Sequence, residues 1–213
     1  MELTQNPSVL ELVRKTAELT TPKEIVWIDG SEAQLESLRK IAVETGELIK
    51  LNEEKLPGCY LNHSDVNDVA RVEGRTFICS KTREAAGPTN NWMDPDEMKA
   101  KLHEILRCAM AGRTMYVIPY SMGVIGSPFA KYGIEVTDSI YVVLNMAIMT
   151  RIGTKVLDAL GDSSDVILGV HSKVTLDPEN RYIVHFPENN TIWSINSGYG
   201  GNVLLGKKCF ALR

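Results

Sequence analysis

The sequence predicts a domain of the α/β or α+β class. Helical and strand patterns alternate along all 213 residues, as in domains that layer helices on a sheet. The length allows one large domain or two small ones, and a single core is feasible because a domain of this length buries about 70% of its unfolded surface. The last third contains three apolar runs separated by polar turns, and each is typical of a short strand: Val166–Val170, Arg181–Phe186 and Thr191–Ile195.

The first elements form a helix followed by a βα unit. Asn6 and Pro7 are typical of a helix start, and apolar residues follow at helical spacing. The apolar run Glu24–Ile28 predicts a buried strand. Ser31 is then placed to cap a second helix, which we expect to continue to Gly46.

A β-hairpin is the prediction for the next segment. Val69–Val72 and Thr76–Cys79 have strand composition, and Glu73-Gly74 between them fits a tight turn. Residues 82–91 contain Gly, Pro and Asn without periodicity, which predicts a loop.

The middle of the chain predicts two helices separated by strands. Asp94-Pro95 is typical of a helix start, and the apolar stripe that follows includes Met110 and leads to a helix end at Gly112. The remaining predictions are, in chain order, a strand, a loop, a strand and an apolar helix: Met115–Pro119, Ser121–Pro128, Ile134–Val136 and Ile140–Ile152.

Composition excludes several classes of protein. The net charge of −4 and the absence of any basic cluster argue against a nucleic-acid partner. Apolar runs are far shorter than the ~20 residues that span a bilayer, so we expect a soluble, cytoplasmic protein without a membrane partner. The cysteines include no C-x-x-C pair, which argues against structural zinc and favours reduced thiols: Cys59, Cys79, Cys108 and Cys209.

The segment Gly201–Lys208 matches the P-loop pattern G-x-x-x-x-G-K but has Lys208 where that loop needs a Ser or Thr to bind magnesium. Ser197–Gly200 lies directly before it and adds two more glycines, which allow backbone N–H groups to approach a ligand closely. A helix N-terminus after such a loop attracts anions. The residues alone therefore favour an anion site, and leave open a degenerate P-loop or a plain Gly-rich turn.

Several blocks of this sequence resemble the GTP-dependent phosphoenolpyruvate carboxykinases. Ser197–Arg213 is similar to the signature segment of that family, and Gly112–Gly123 is similar to a second block. Further similar blocks follow the family's order within about residues 25–213: Asp68–Arg71, Gly126–Pro128, Gly133–Asp138, Tyr141–Val143 and Met149–Arg151. The resemblance implies the fold of the family's amino-terminal domain, a mixed α/β fold with a mixed sheet flanked by helices, as a single domain over residues 1–213.

The resemblance also implies an activity and a substrate site. The family interconverts oxaloacetate and phosphoenolpyruvate with GTP/GDP and Mn²⁺ or Mg²⁺ as cofactors. Arg71 matches the arginine that holds the substrate's carboxylate and phosphate side, a role suited to its donor fork. Tyr199, Gly200 and Gly201 match the substrate-binding Tyr-Gly-Gly of the family.

Two lysines complete the implied site. Lys207 matches a catalytic lysine that lies beside the substrate, and Lys208 matches a lysine that binds the metal. Only a neutral amine has a lone pair to donate, so a nearby positive charge and burial must favour the neutral form of Lys208. None of the four histidines matches the family's metal position, and packing or surface roles are expected for them: His63, His103, His171 and His185.

The family's nucleotide P-loop, its other metal ligands and its guanine pocket lie downstream of the matched segment. We therefore expect a truncated amino-terminal fragment that lacks the GTP-binding domain, is inactive alone and binds neither GTP nor metal tightly. The apolar stripe ending at Leu212 also predicts a chain that stops within a helix. The family is usually monomeric, and self-association of the fragment stays open. Two other interpretations remain: a small P-loop module, and a non-catalytic relative that acts as a binding module.

Overall fold

The structure is a computed structural model that describes residues 2–66 and 72–198. Its helices in these ranges are α1 (Pro7–Thr20), α2 (Glu32–Glu44), α3 (Pro95–Leu106), α4 (Ile140–Met149) and α5 (Thr154–Leu160). Its strands are β1 (Glu24–Trp27), β2 (Ile49–Lys50), β3 (Tyr60–Leu61), β4 (Thr76–Ile78), β5 (Thr114–Met122), β6 (Lys131–Thr137), β7 (Arg151–Ile152), β8 (Ile167–Ser172), β9 (Tyr182–Phe186) and β10 (Thr191–Ile195).

The described strands form an eight-stranded sheet and a separate β2–β3 pair. The main sheet has the order β1-β5-β6-β8-β10-β9-β4, and β7 pairs with β5 as well. Parallel pairs join β1 to β5, β6 to β8, β8 to β10 and β4 to β9, whereas β5 to β6 and β9 to β10 are antiparallel. The predicted mixed sheet is therefore confirmed.

Helices cover both faces of this sheet, as predicted. On one face, α1 and α5 pack on β5 and β6, and α3 packs on β8, β9 and β10. On the other face, α2 and α4 enclose the apolar side chains of β5. Strand β5 has buried side chains on both faces, which is why its sequence is continuously apolar rather than alternating.

The predicted caps of α1 and α2 are confirmed. The Asn6 side-chain oxygen accepts hydrogen bonds from the backbone N–H groups of Ser8 and Val9, and its amide nitrogen donates to the carbonyls of Gly161 and Ser163. One buried side chain thus begins α1 and ties it to the turn after α5. Ser31 caps α2 through the N–H of Gln34.

The hairpin predicted around Glu73-Gly74 is wrong. Glu73–Arg75 forms a short 3₁₀ helix, and β4 pairs in parallel with β9 instead of with a preceding strand. The other side of β4 is held by Asn91, which accepts from the N–H of Ile78 and whose side chain donates to the carbonyls of Glu73 and Thr76. These two partners use the strand's hydrogen-bonding groups on both sides. Residues 69–71 of the predicted first strand, Val69–Val72, lie outside the described residues.

Two predicted helix ends are also wrong. Helix α3 ends at Leu106, since Cys108 has a positive φ of 55° and donates its N–H to the carbonyl of Leu19 at the end of α1. Met110 is buried as predicted, but in the turn that follows the helix. Helix α4 ends at Met149, and the residues assigned to its last turn form β7 against β5.

Three short elements carried no recognised signal. Helix α5 has only seven residues, and β2 and β3 have two each, too few to display a period. The predicted loop beginning at Ser121 also starts too early, because β5 continues to Met122. No helix within residues 2–66 and 72–198 has the length and apolar character needed to cross a membrane.

Two glycines allow the loop after β1 to cross the loop after β7. Gly30 and Gly153 both have positive φ, and a Cβ added to Gly153 would lie 2.1 Å from the carbonyl oxygen of Asp29. That carbonyl also accepts the N–H of Thr154 at the start of α5. The crossing therefore sets the position of α5 against the sheet.

Replacing Gly153 with alanine should be strongly destabilising. The clash is with backbone, which cannot rotate away, so we expect Gly153→Ala to lower the free energy of unfolding by about 3–5 kcal/mol. Gly112→Ala is the matched control, because Gly112 also has positive φ but open space around it. In the control, the free energy of unfolding should fall by only about 1–2 kcal/mol, the conformational cost of placing alanine at positive φ. Urea unfolding of both variants measures the difference, and equal losses would contradict the crossing.

Glu135 of β6 is a buried carboxyl group inside the sheet. Its side chain has no hydrogen-bond partner among the described residues, and its carboxyl group fills the space left by Gly169 on β8, where a Cβ would lie 2.4 Å from Oε2. Desolvation raises the pKa of Glu135 well above its ordinary value. The folded protein therefore keeps this group neutral where an exposed glutamate is charged.

The stability of the protein should fall as pH rises because of Glu135. The folded state binds this proton more tightly than the unfolded state does. Above pH ~4.3 the free energy of unfolding therefore falls by up to about 1.4 kcal/mol for each pH unit, until the pKa of the folded state is reached. Glu135→Gln should remove that dependence and stabilise the protein at pH 7. Glu104→Gln, at an exposed position of α3, is the control. Urea unfolding between pH 5 and 8 measures both slopes, and parallel curves for wild type and Glu135→Gln would refute the assignment.

Candidate active site at one edge of the sheet

One edge of the sheet brings the ends of five strands together. The carboxyl ends of β6, β8 and β10 lie beside one another because these strands are parallel, and the register places the amino ends of β9 and β4 at the same edge. We call this the site edge. In α/β proteins, ligands commonly bind beyond the carboxyl ends of parallel strands.

The residues that the sequence predicts for the site lie outside the described residues. The second described range begins at Val72, directly before the turn into β4, and ends at Gly198, shortly after β10. The predicted site residues not described are Arg71, Tyr199, Gly200, Gly201, Lys207 and Lys208. What the structure places is their flanks, since Val72 and Gly198 both lie next to the site edge.

The turn from Val72 into β4 is fixed to the site edge by Arg75. Its guanidinium donates to the hydroxyl of Tyr182 at 3.0 Å and to the carboxylate of Glu179 at 3.1 Å. Tyr182 begins β9, so this contact holds the start of β4 beside the start of β9.

A cavity of about 160 Å³ lies at the site edge. His63 and Asp65 line it from the residues before position 67, and Gly198 lines it from the end of β10. Glu47 and Lys173 add charged groups to its wall. Larger cavities of about 750 and 670 Å³ lie elsewhere, between α1 and α3 and between α2 and α4. The smaller cavity is the candidate functional site, because charged groups and the carboxyl ends of parallel strands converge there.

Glu47 and Lys173 form an ion pair across this cavity. The ammonium of Lys173 lies 3.2 Å from the carboxylate of Glu47, which also accepts a hydrogen bond from the hydroxyl of Ser139. Both charged side chains are partly exposed. The cavity wall therefore offers a cation that can turn to an anionic ligand without losing a fully buried bond.

Asp138 stabilises the site edge through buried hydrogen bonds. Its side chain is fully buried, and its carboxylate accepts hydrogen bonds from the Arg113 guanidinium at 2.7 Å, the Ser172 hydroxyl at 3.0 Å and the Lys173 N–H at 2.9 Å. Arg113 also donates to the carbonyl of Val174. One carboxylate thus connects the start of β5, the end of β6 and the loop after β8.

Asn196 organises the loop that precedes the Gly-rich segment. It has a positive φ of 59°. Its side-chain oxygen accepts the N–H groups of Thr175 and Asp177, both at 3.2 Å, while its amide nitrogen donates to the carbonyl of Asn180. The Asn196 carbonyl accepts from the buried guanidinium of Arg181 at 2.8 Å. The 175–181 loop is therefore wrapped around the point where β10 ends.

His171 and Ser197 complete this arrangement. Nδ1 of His171 lies 2.7 Å from the Thr137 hydroxyl, and Nε2 lies 2.6 Å from the carbonyl oxygen of Ser197. Both His171 and His185 are buried in the sheet, while His103 stacks on Trp193. Among the described residues, no group of three or more His, Cys, Asp or Glu side chains is placed to hold a metal ion.

Sequence reasoning did not find Asp138, His171 or Asn196 as site-forming residues. Asp138 falls within a recognised block, but its three partners come from distant positions. The sequence Asn196-Ser197-Gly198 could have indicated a turn at the end of β10, since asparagine tolerates positive φ and is common in turns.

Asp138→Asn should destabilise the protein by about 2–4 kcal/mol. The amide that replaces one carboxylate oxygen is a donor facing other donors, and the charge opposite Arg113 is lost. Asp158→Asn, at an exposed position of α5, should change stability by no more than ~0.5 kcal/mol. Urea unfolding measures both, and a loss below 1 kcal/mol for Asp138→Asn would show that the network is dispensable.

The chain matches a known protein family over most of its length. Residues 11–213 match the phosphoenolpyruvate carboxykinase N-terminal domain. The chain therefore belongs to that family, which confirms the resemblance found in its sequence blocks.

Similar relatives come from three organisms, and each bears the name phosphoenolpyruvate carboxykinase [GTP]. The protein of Anaeromyxobacter dehalogenans (strain 2CP-C) is 56% identical over 210 residues, covering 99% of this chain. That of Corynebacterium kroppenstedtii is 52% identical over 221 residues, covering 99% of this chain, and that of Neocallimastix frontalis is 50% identical over 220 residues, covering 98%. The chain spans only about a third of the length of these relatives, 35%, 35% and 36% respectively.

Proposed function

We propose that this chain forms the oxaloacetate- and phosphoenolpyruvate-binding part of a GTP-dependent phosphoenolpyruvate carboxykinase. The complete enzyme would convert oxaloacetate and GTP to phosphoenolpyruvate, GDP and CO₂. The observation that carries this proposal is the match of residues 11–213 to the family's N-terminal domain. The site edge supports it, because the flanks of the implied substrate residues meet there.

Arg71, Tyr199, Gly200 and Gly201 would bind the substrate. The planar guanidinium of Arg71 suits a carboxylate or phosphate, which it can engage with two parallel hydrogen bonds. The backbone N–H groups of the two glycines and the edge of the tyrosine ring suit a carboxylate. The cavity between the flanks of these segments, with Lys173 in its wall, supports an anionic ligand.

Lys207 would lie beside the substrate, and Lys208 would hold Mn²⁺ or Mg²⁺ through a neutral amine. As the family resemblance implies, the remaining metal ligands and the GTP pocket would come from other parts of the complete enzyme. When bound, the metal would supply a positive charge next to the oxygen on which negative charge develops.

In the proposed reaction, the carbon–carbon bond to the departing carboxylate of oxaloacetate breaks and its electron pair becomes an enolate. The enolate oxygen then bonds to the γ-phosphorus of GTP, and GDP leaves. The chain's own residues would orient the substrate, neutralise its charge and exclude water from the enolate. Because GTP binding would reside elsewhere, we propose that the chain alone is inactive.

A reducing compartment fits the described cysteines. Cys59, Cys79 and Cys108 are all free thiols, and Cys79 is buried among apolar groups that raise the pKa of its thiol to about 11. An inert buried thiol and exposed reduced thiols are typical of the cytoplasm, which is where we place the protein.

Arg71→Lys in the complete protein tests the proposal. Lysine keeps the charge but loses the fork, so kcat/KM for oxaloacetate should fall by about 100-fold. Arg14→Lys is the matched control, because Arg14 makes only an exposed helical pair with Glu18, and it should leave the kinetics unchanged. Absence of carboxykinase activity in the wild-type protein, or full activity in Arg71→Lys, would overturn the assignment.

Titration of the 213-residue chain separates the proposal from a P-loop module. Phosphoenolpyruvate should shift the NMR amide signals of Lys173 and Gly198 at the cavity, whereas GTP should leave the spectrum unchanged. Tight binding of GTP by this chain would favour the P-loop module. Binding of phosphoenolpyruvate together with a complete protein that lacks activity would favour a non-catalytic binding module.

A further inference from the structure

Glu47 joins two walls of the cavity at the site edge. It lies in the turn after α2 and lines this cavity. Its carbonyl oxygen accepts a hydrogen bond from the side chain of Asn62 at 2.7 Å, and Asn62 lines the cavity as well. Oε1 of its carboxylate lies 3.2 Å from the ammonium of Lys173 and accepts from the hydroxyl of Ser139 at 3.3 Å. The segments around positions 62 and 173 are therefore both held to this one residue.

Lys173 is fixed at its backbone but only weakly held at its charge. Its N–H donates to the buried carboxylate of Asp138 at 2.9 Å. An ammonium has three N–H donors, and within the described ranges the acceptor that it contacts is Oε1 of Glu47. The side chains of Lys173 and Glu47 keep 30% and 22% of their surface exposed, so water reaches both charges. Because such a pair is weak, the ammonium can exchange its partner for a ligand.

The other charged groups of the cavity restrict which ligand such an exchange favours. Asp65 and His63 also line it, so an anion meets two carboxylates there, and Lys173 is the permanent cation among the described lining residues. A ligand carboxylate would replace the Glu47 carboxylate with a group of the same charge, which gains little. A phosphate group carries about −1.5 to −2 charges and three strong acceptor oxygens, so it gains more from the same ammonium.

We propose that Lys173 recognises the phosphate group of a small phosphorylated ligand and that Glu47 is the counter-ion it releases for that group. The inference rests on the proposed function, in which phosphoenolpyruvate is that ligand and oxaloacetate carries carboxylates only. A cavity of about 160 Å³ suits one small anion, since a water molecule takes about 30 Å³ in the liquid. The ion pair thus makes the cavity selective for the phosphorylated partner of the reaction.

Calorimetric titration of the complete protein with phosphoenolpyruvate, in buffer with Mn²⁺ and without nucleotide, measures the exchange. Lys173→Met keeps the length of the side chain but removes the ammonium, so the Kd should rise by about 10-fold. Glu47→Gln keeps an oxygen for the Ser139 hydroxyl but removes the competing charge, so the Kd should fall by about 2- to 5-fold. An unchanged Kd in Lys173→Met, or a higher Kd in Glu47→Gln, would overturn the proposal.

The double variant separates exchange from simple repulsion between Glu47 and the ligand. In the Lys173→Met background no ion pair remains to be broken, so Glu47→Gln should strengthen binding less than it does in the wild-type background. Equal gains in the two backgrounds would show that Glu47 only repels the ligand, and would overturn its role as the exchanged counter-ion.

Oxalate is the probe for a ligand that carries carboxylates only. Lys173→Met should weaken the binding of oxalate less than that of phosphoenolpyruvate, and equal losses would overturn the selectivity. The matched control is the exposed pair of Glu11 and Lys15 on α1, which lies outside the lining of this cavity. Glu11→Gln and Lys15→Met should leave both Kd values unchanged. Lys173→Arg keeps the positive charge and should stay within about threefold of wild type, which separates loss of charge from loss of structure.

These titrations distinguish a failure of the inference from a failure of the proposed function. Carboxykinase activity in the wild-type protein, with the same phosphoenolpyruvate Kd in all variants, would overturn the role of the ion pair alone. The expected changes in Kd in a protein without carboxykinase activity would support the phosphate site and overturn the proposed reaction. A wild-type protein that binds no phosphoenolpyruvate would overturn both.

Discussion

The buried carboxylate of Asp138 is the interaction on which the site edge depends. Its hydrogen bonds to Arg113, Ser172 and the Lys173 backbone connect three segments that are distant in sequence. Water is excluded from this side chain, so each lone pair must be satisfied within the protein. Once these bonds form, the ends of β6 and β8 have fixed positions, and the cavity wall and the loop around Asn196 follow from them.

Two acidic residues three positions apart, Glu135 and Asp138, show how surroundings decide the state of a carboxyl group. Asp138 follows β6 and has charged and polar partners, which offset the loss of hydration. Glu135 lies within the strand, has no described partner and has a strongly raised pKa. The first group organises the site, and the second is accommodated only because Gly169 has no side chain. Neither behaviour is visible in the type of residue alone.

The sequence predicted local structure well and long-range pairing poorly. Caps and periodicity located α1, α2 and the start of α3, because their signals lie within a few residues of one another. The pairing of β4 with β9 was not predicted, and the hairpin proposed instead used only adjacent residues. For the site, the recognised blocks identified the Gly-rich segment, while the supporting residues Asp138 and His171 required the fold to bring their partners together. The roles of Arg71, Tyr199 and the two lysines stay predictions.

The position of β4 has a consequence for the synthesis of the protein. Arg75 and its partner Tyr182 are 107 positions apart, and β4 finds its sheet neighbour only when β9 has been made. At about 5–20 residues per second, the ribosome needs roughly 5–20 s to cover that distance. During this interval β4 is a short apolar strand with an open edge, which is the kind of segment that chaperones bind. The site edge is therefore assembled only after α1, α2, β5 and β6 have already emerged.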